Sequence, residues 1–472
     1  MKKTCLVSLA LATSVLLPAA RAVDLIAIGT ISGAYEDLST STAAPLENGV
    51  AGNLLGGIGS GLAYAGGNTF LALPDRGPNA NPYNSAIDDT VSYIPRFQTL
   101  SLSLAPRTDP VTGLPFTLTP MVTATTLLHS GFPLYYGSGA GLGNRIDGVT
   151  PVGSGAPALN AIDHTYYYSG RSDNFNGSQL STYRQNARLD PEGIRVSNNG
   201  AFVYISDEYG PFVRQFDRAT GRVVRTYELP ANLAITHLSP QKDVEIDGNT
   251  VGRVTNKGME GLAITPDGTM LVGMMQANLE QDKKKSLRLV TIDLASGTTH
   301  EYAYKLTDGS GVSEIVAVNN HQFLVDERDG TGLGDTPQLT DTASAAVVKE
   351  LFLIDLDGAT DVTEMAGDLS DYAVTKTLFL DIVGKLTGAG INAFLIPSKI
   401  EGIAFGQDID VAGVTMHTLF VANDNDFLAT VADPFKGPDD TTRGEIANPN
   451  QIYVFAFSDD ELPGFVQQPF RN

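Results

Sequence analysis

The sequence predicts an all-β β-propeller on three observations: a repeated two-strand unit, tight-turn chemistry after its copies, and few helical stretches. Five copies are countable. They are Ser60-Gly61-Leu62-Ala63-Tyr64, Glu192-Gly193-Ile194-Arg195-Val196, Glu260-Gly261-Leu262-Ala263-Ile264, Glu314-Ile315-Val316-Ala317-Val318 and Glu401-Gly402-Ile403-Ala404-Phe405, the fourth lacking the glycine. Gly66-Gly67-Asn68, Asn198-Asn199-Gly200, Pro266-Asp267-Gly268 and Asn319-Asn320 follow the first four copies, all residue types that accept the backbone angles of a hairpin turn. The fifth copy runs instead through a longer excursion, 407–417.

Second strands then read at 69–73, 202–205, 270–272, 323–325 and 419–421, and third strands at 97–104, 213–216, 287–292, 350–354 and 451–457. Outer strands fit 222–229, 298–305 and 376–382. Four short strands per repeat make each repeat one blade. The last copy ends near the C-terminus after three strands, so 24–32 is expected to supply its outer strand and close the ring. A sixth blade has room only within 129–188, a stretch rich in Gly, Ser, Tyr and Asn that reads as a long surface insertion. Insertions of this length commonly carry function.

The composition is globular: 42% hydrophobic and 18% charged over 472 residues. At ~150 residues per domain the length alone suggests about three domains, but the repeat makes 23–472 a single propeller domain. Residues 1–22 read as an export signal: Lys2 and Lys3, an apolar run from Leu6 to Leu17, then Ala20-Arg21-Ala22. Removing them takes away three bases and no acid, so the formal charge moves from −22 to −22 − 3 = −25. The single cysteine, Cys5, leaves as well, which excludes a disulfide framework and a thiol nucleophile. No apolar run long enough to span a membrane recurs, so the expected product is an exported monomer, periplasmic or secreted. Such a negative chain, with no basic stripe longer than Lys283-Lys284-Lys285, is a poor partner for nucleic acid and a better one for cations.

In a propeller the first strand of each blade lines the central channel. Glu192, Glu260, Glu314 and Glu401 are therefore expected to form a ring of carboxylates at one mouth. A second acidic position falls after each second strand, at Asp75, Asp207, Asp326 and Asp424, with Gln276 and Asn278 in the third copy. Crowded like charges need a cation, a base or a shared proton. An all-oxygen set suits a divalent metal, Ca²⁺ first and Mg²⁺ as the alternative, rather than zinc: six histidines are present and none shows HxxxH spacing. The competing structural reading is that the same acids pair with bases of neighbouring blades. No G-x-S-x-G elbow, P-loop, H-E-x-x-H or EF-hand loop occurs, so serine-nucleophile hydrolysis has no motif behind it.

Six segments, taken together and in order, resemble the phytase-like family, the esterase-like activity of phytase domain. They are Asp75-Arg76-Gly77-Pro78-Asn79, Leu189-Asp190-Pro191-Glu192-Gly193-Ile194, Ser206-Asp207-Glu208-Tyr209-Gly210-Pro211-Phe212, Gly258-Met259-Glu260-Gly261-Leu262-Ala263, Asp326-Glu327-Arg328-Asp329 and Ile400-Glu401-Gly402-Ile403-Ala404. The resemblance implies an exported propeller-type protein associated with phosphomonoester or ester hydrolysis. The expected substrate is then a small phosphate ester or another anionic ligand. Arg76, Lys257, Arg328 and Lys399 are expected to clamp phosphate oxygens, with Glu208 or Glu327 as general base. The alternatives are a non-catalytic propeller that binds a ligand, glycan or protein through its Tyr-rich insertion, and a lactonase or ester hydrolase with one central metal.

Overall fold

The computed structural model describes residues 23–78, 87, 90–137, 153, 155–160, 164–411 and 413–470. Residues 1–22, expected to be an export signal, the turn at 79–82 and the centre of the 129–188 insertion lie outside the described residues. Four four-stranded antiparallel sheets and one four-stranded ladder extended by the short strand Ile409–Val411 form the five blades among the described residues. Blade 1 comprises Gly61–Tyr64, Thr69–Leu73, Arg96–Ala105 and Thr117–Leu127. Blade 2 comprises Pro191–Val196, Phe202–Asp207, Phe212–Asp217 and Val223–Tyr227. Blade 3 comprises Met259–Ile264, Met270–Met275, Ser286–Asp293 and Thr299–Lys305. Blade 4 comprises Gly311–Ala317, Gln322–Arg328, Lys349–Asp355 and Lys376–Asp381.

Blade 5 takes Lys399–Phe405, Val414–Asp424 and Asn450–Phe457 from the C-terminal part and its outermost strand, Asp24–Ile31, from the N-terminal part. The register Asp24↔Ala456 through Ile31↔Asn450 closes the ring. The described part of 129–188 holds a two-stranded pair, His129–Ser130 with Tyr166–Tyr167, and no sixth blade. Inner strands are buried along most of their length and read as short apolar runs, whereas the outer strand Val223–Tyr227 is largely exposed or half-buried. The core is a ring of interfaces. Separate apolar clusters fill the contacts between blades 1 and 2, 2 and 3, 3 and 4, 4 and 5, and 5 and 1.

At the axis the inner strands approach more closely than side chains allow. A Cβ on Gly61 would lie 2.3 Å from the Glu192 carbonyl oxygen, and one on Gly193 would lie 2.7 Å from the Leu262 nitrogen. In blade 4 that glycine position is held by Glu314, because Glu314 pairs with Asp326 where Gly261 pairs with Met274 and Gly402 with Ala422. Glu314 is therefore not the fourth member of the carboxylate ring; Ser313 occupies that place. Glu314 turns into the axis, where its Oε1 accepts from the Leu262 and Ile315 amides at 2.9 Å. Arg195 meets it there, its guanidinium 3.1 Å from Glu314 Oε2 and donating to the carbonyls of Leu62, Ile194 and Ile315 at 2.6–2.8 Å. This one pair touches the inner strands of blades 1, 2, 3 and 4. Burial pushes the Glu314 carboxyl up to about 7 against the pull of Arg195.

Below that plug the C-terminal tail crosses the second mouth. Val466 donates to the Val318 carbonyl, Gln468 Nε2 donates to the Val196 carbonyl and to Asn198 Oδ1, and Phe470 stands edge-on to Tyr64. The plug and the tail thus both lie across the channel on that side.

Removing one partner of a buried ion pair strands the other charge, at a cost on the order of 3–5 kcal/mol. At pH 8, Arg195→Ala and Glu314→Ala are each expected to destabilise the chain by about that much in urea unfolding, and the double variant by much less than the sum. Additive losses would show that the two side chains act independently.

Candidate functional site

The open mouth is built by β-bulges. In blades 2 to 5 the ladder between first and second strands slips near that end, and the slip contains Glu192, Glu260, Ser313 and Glu401. A bulge leaves a residue out of the alternation and re-aims its side chain. A second ring lies on the second strands, two places beyond the partner of each inner-strand glycine position: Asp75, Gln276, Arg328 and Asp424, with Glu208 the equivalent in blade 2. All five line one cavity of about 190 Å³. Among the described residues seven carboxylates wall it (Asp75, Asp190, Glu192, Glu208, Glu260, Glu401 and Asp424) together with five bases, Arg76, Lys242, Lys257, Arg328 and Lys399.

Three of those bases are committed. Arg76 Nη1 is 3.1 Å from Asp190 Oδ2 and also donates to Asn256. Arg328 pairs with Glu401, its Nε held by Ser313 Oγ. Lys399 Nζ lies 2.8 Å from Asp424 Oδ2 and 2.6 Å from Asp426 Oδ1. Lys242 and Lys257 are exposed at the rim, and neither side chain makes an ion pair or hydrogen bond among the described residues.

Burial is the leading cause of the carboxyl shifts, with neighbouring carboxylates next for three of them. Asp75, Glu192 and Glu260 are held well above the usual range, reinforced by Asp424, Glu260 and Glu208 respectively. Burial lifts Glu401 to about 7 against Arg328 and Lys399, and Asp190 to about 6 against Arg76. Lys399 is disfavoured as a cation by burial, yet Asp424 and Asp426 raise it well above its ordinary value.

Of the metal-ligand candidates, the structure brings Glu192, Glu260, Glu401, Asp75 and Asp424 together and leaves three outside. Glu314 sits in the axial plug. Asp207 Oδ1 accepts from the Asp190 and Tyr209 amides and so braces the loop that carries Glu208. Asp326 is fully buried one pairing step from the cavity. Of the candidate clamps and bases, Arg76, Lys257, Arg328, Lys399 and Glu208 line the cavity. Glu327 does not: the strand Gln322–Arg328 runs on past it, alternation puts Arg328 in the mouth, and Glu327 points away to Tyr304, Thr307 and Lys376. Asp190, Asp426, Asn256 and Lys242 are additions. The first two stood in the motifs Asp190-Pro191-Glu192 and Asp424-Asn425-Asp426, whereas nothing in the sequence marks Lys242.

The donor set fits a hard divalent cation. One oxygen from each of Asp190, Glu192 and Glu208 lies within 4.8 Å of the others, as do those of Asp75, Asp424 and Asp426. Such spacings match ligand oxygens around an ion bound at about 2.3–2.6 Å. Glu260 Oε2 is buried without a hydrogen-bond partner among the described residues, while its Oε1 accepts from Gln276 at 2.8 Å.

Residues 53–427 match a family described as "Phytase-like: Esterase-like activity of phytase". A secreted, uncharacterized protein of Arthroderma benhamiae is 28% identical over 242 residues, 43% of this chain and 46% of that relative. The chain thus spans about half the length of the curated relative it matches. Solved structures similar to it include the periplasmic gluconolactonase of Pseudomonas aeruginosa, with 11% identity, TM-score 0.33, 92% of this chain and 99% of that one. A gluconolactonase of Xanthomonas campestris has 10% identity, TM-score 0.30 and covers 93% and 99% of the two chains. Among the described residues no helix is long and apolar enough to cross a membrane.

Carboxyls with raised values hold protons in the folded chain that the unfolded chain has released above about pH 4. Their contribution is therefore complete at low pH and lost as pH rises through about 6 for Asp190 and about 7 for Glu401. The chelated protein should lose melting temperature between pH 5 and 8, as expected where folded carboxyls titrate late, and millimolar Ca²⁺ should restore more at pH 8 than at pH 5. A chelated protein whose melting temperature rises over that window would contradict this electrostatic picture.

Proposed function

The chain belongs to the phytase-like family, and on that premise we propose that it is an exported hydrolase of phosphate esters working with a divalent cation in the propeller mouth. One observation carries the reading: buried carboxylates with an unpartnered oxygen face a cavity whose rim holds two uncommitted lysines. The secreted relative supports export. Asp190, Glu192 and Glu208 would hold the cation. When bound, it would offset phosphate charge and make an attacking water more acidic.

The chain's own groups divide the remaining work. Lys242 and Lys257, exposed and unpaired, draw a phosphate ester to the rim, where a long basic side chain acts as a point charge on phosphate oxygens. Arg76, Arg328 and Lys399 are engaged by carboxylates, so they orient those acids and do not clamp substrate. Glu260 is the base: Gln276 fixes its Oε1 and leaves Oε2 to take a proton, and its raised pKa makes it a stronger base near neutral pH. The axial plug and the tail lie across the far end, so the carboxylate-lined mouth is the side where substrate would enter and product leave.

A binding propeller is the second reading. It is favoured by Phe132 and Tyr135, 71% and 47% exposed on the insertion.

Turnover of a phosphomonoester should vanish on chelation and return with Ca²⁺ or Mg²⁺. Glu260→Gln should lower kcat by ~10²–10⁴ with little change in melting temperature, and Lys257→Ala should raise KM several-fold. Undiminished turnover in Glu260→Gln would remove the residue from the chemistry.

A further inference from the structure

The mouth contains two acidic groups, and they differ in how their charge is met. Where blades 5 and 1 meet, Asp424 and Asp426 already share an ammonium, with Asp75 beside them. Lys399 Nζ lies 2.8 Å from Asp424 Oδ2 and 2.6 Å from Asp426 Oδ1. The other oxygen of Asp424 accepts the Asp426 amide, and Asp75 Oδ1 accepts the Gly77 amide. Where blades 2 and 3 meet, Asp190, Glu192, Glu208 and Glu260 face one another with no equivalent. Arg76 reaches only the Asp190 edge and is tied back to Asn256. Among the described residues no basic side chain forms an ion pair with Glu192, Glu208 or Glu260.

An independent observation marks the second group as a ligand site. Glu260 is 4% exposed, and its Oε2 is buried, without a hydrogen-bond partner, on the wall of the same cavity. A buried carboxyl oxygen so placed is costly unless a cation, a water or a proton shared with the neighbouring Glu208 meets it.

We infer that the mouth takes one divalent cation, held by Asp190, Glu192 and Glu208 against Glu260, and that Lys399 is a built-in counter-ion occupying what would otherwise be a second cation site. The inference rests on the reading of the mouth as a cation site and names which half of it binds. A lysine ammonium and a hard metal ion compete for the same oxygens, so the side chain at position 399 sets the ion count.

Equilibrium dialysis of the folded chain against Ca²⁺, followed by elemental analysis, reads that count directly. One ion per chain is expected for the parent, none for Glu192→Gln, one for Asp424→Asn, and two for Lys399→Met. Two ions in the parent, loss of the ion in Asp424→Asn, or one ion in a folded Lys399→Met would overturn the assignment. If Lys399→Met does not fold, the contrast between Glu192→Gln and Asp424→Asn decides alone, since opposite losses place the ion in the other half. Phosphomonoester turnover in the same samples separates the two readings. One bound ion without turnover sinks the hydrolase and keeps the cation site, whereas no bound ion in the parent sinks the cation site whatever the turnover.

Discussion

Five sheets around one axis force their inner strands into backbone contact, and the Arg195–Glu314 pair is what makes that contact tolerable. The strands come so close that glycine recurs where they touch. Closeness strands backbone carbonyls that have no partner within their own sheet, and a buried carbonyl left unpaired is costly. Arg195 supplies donors to three of them, and Glu314 accepts an amide from blade 3 while balancing the guanidinium charge. The pair divides the channel into a lower part, crossed by the tail, and the mouth lined by the carboxylates. Everything proposed for the mouth assumes that floor.

The mouth inherits its chemistry from a backbone irregularity. Bulges at the ends of the inner strands turn Glu192, Glu260 and Glu401 towards one space, and the ends of the second strands add Asp75, Glu208, Gln276, Arg328 and Asp424. Acids brought together in a buried cavity repel one another, and the chain answers in two ways. In blades 4, 5 and 1 it supplies Arg328 and Lys399. In blades 2 and 3 no basic side chain among the described residues pairs with Glu192, Glu208 or Glu260, and a site is left that favours a cation from outside.

The architecture was largely legible in the sequence because it rests on strand-length apolar runs and turn residues, both local signals. Five blades and closure by the N-terminal strand follow from them. Side-chain direction was less legible, because it depends on register, and one residue reverses it. The turn between Val196 and Phe202 is one residue longer than that between Tyr64 and Thr69, so spacing alone matched Asp75 to Asp207 where the ladders match it to Glu208. The missing glycine of the fourth copy likewise aligned Glu314 with the ring glutamates, although Ser313 is their equivalent. The axial pair was visible as two departures from the repeat: Arg195 where other copies carry Ala or Val, and Glu314 where they carry Gly. Each looked like noise alone; that they complement one another required the ring.

The central claim is that the carboxylates of blades 2 and 3 hold a divalent cation. Anomalous diffraction from crystals of the mature chain soaked in Mn²⁺ tests it most directly. The account predicts one strong peak within the mouth, bounded by Asp190, Glu192 and Glu208 and facing Glu260. A mouth without anomalous signal, with manganese found only at surface acids, would contradict it.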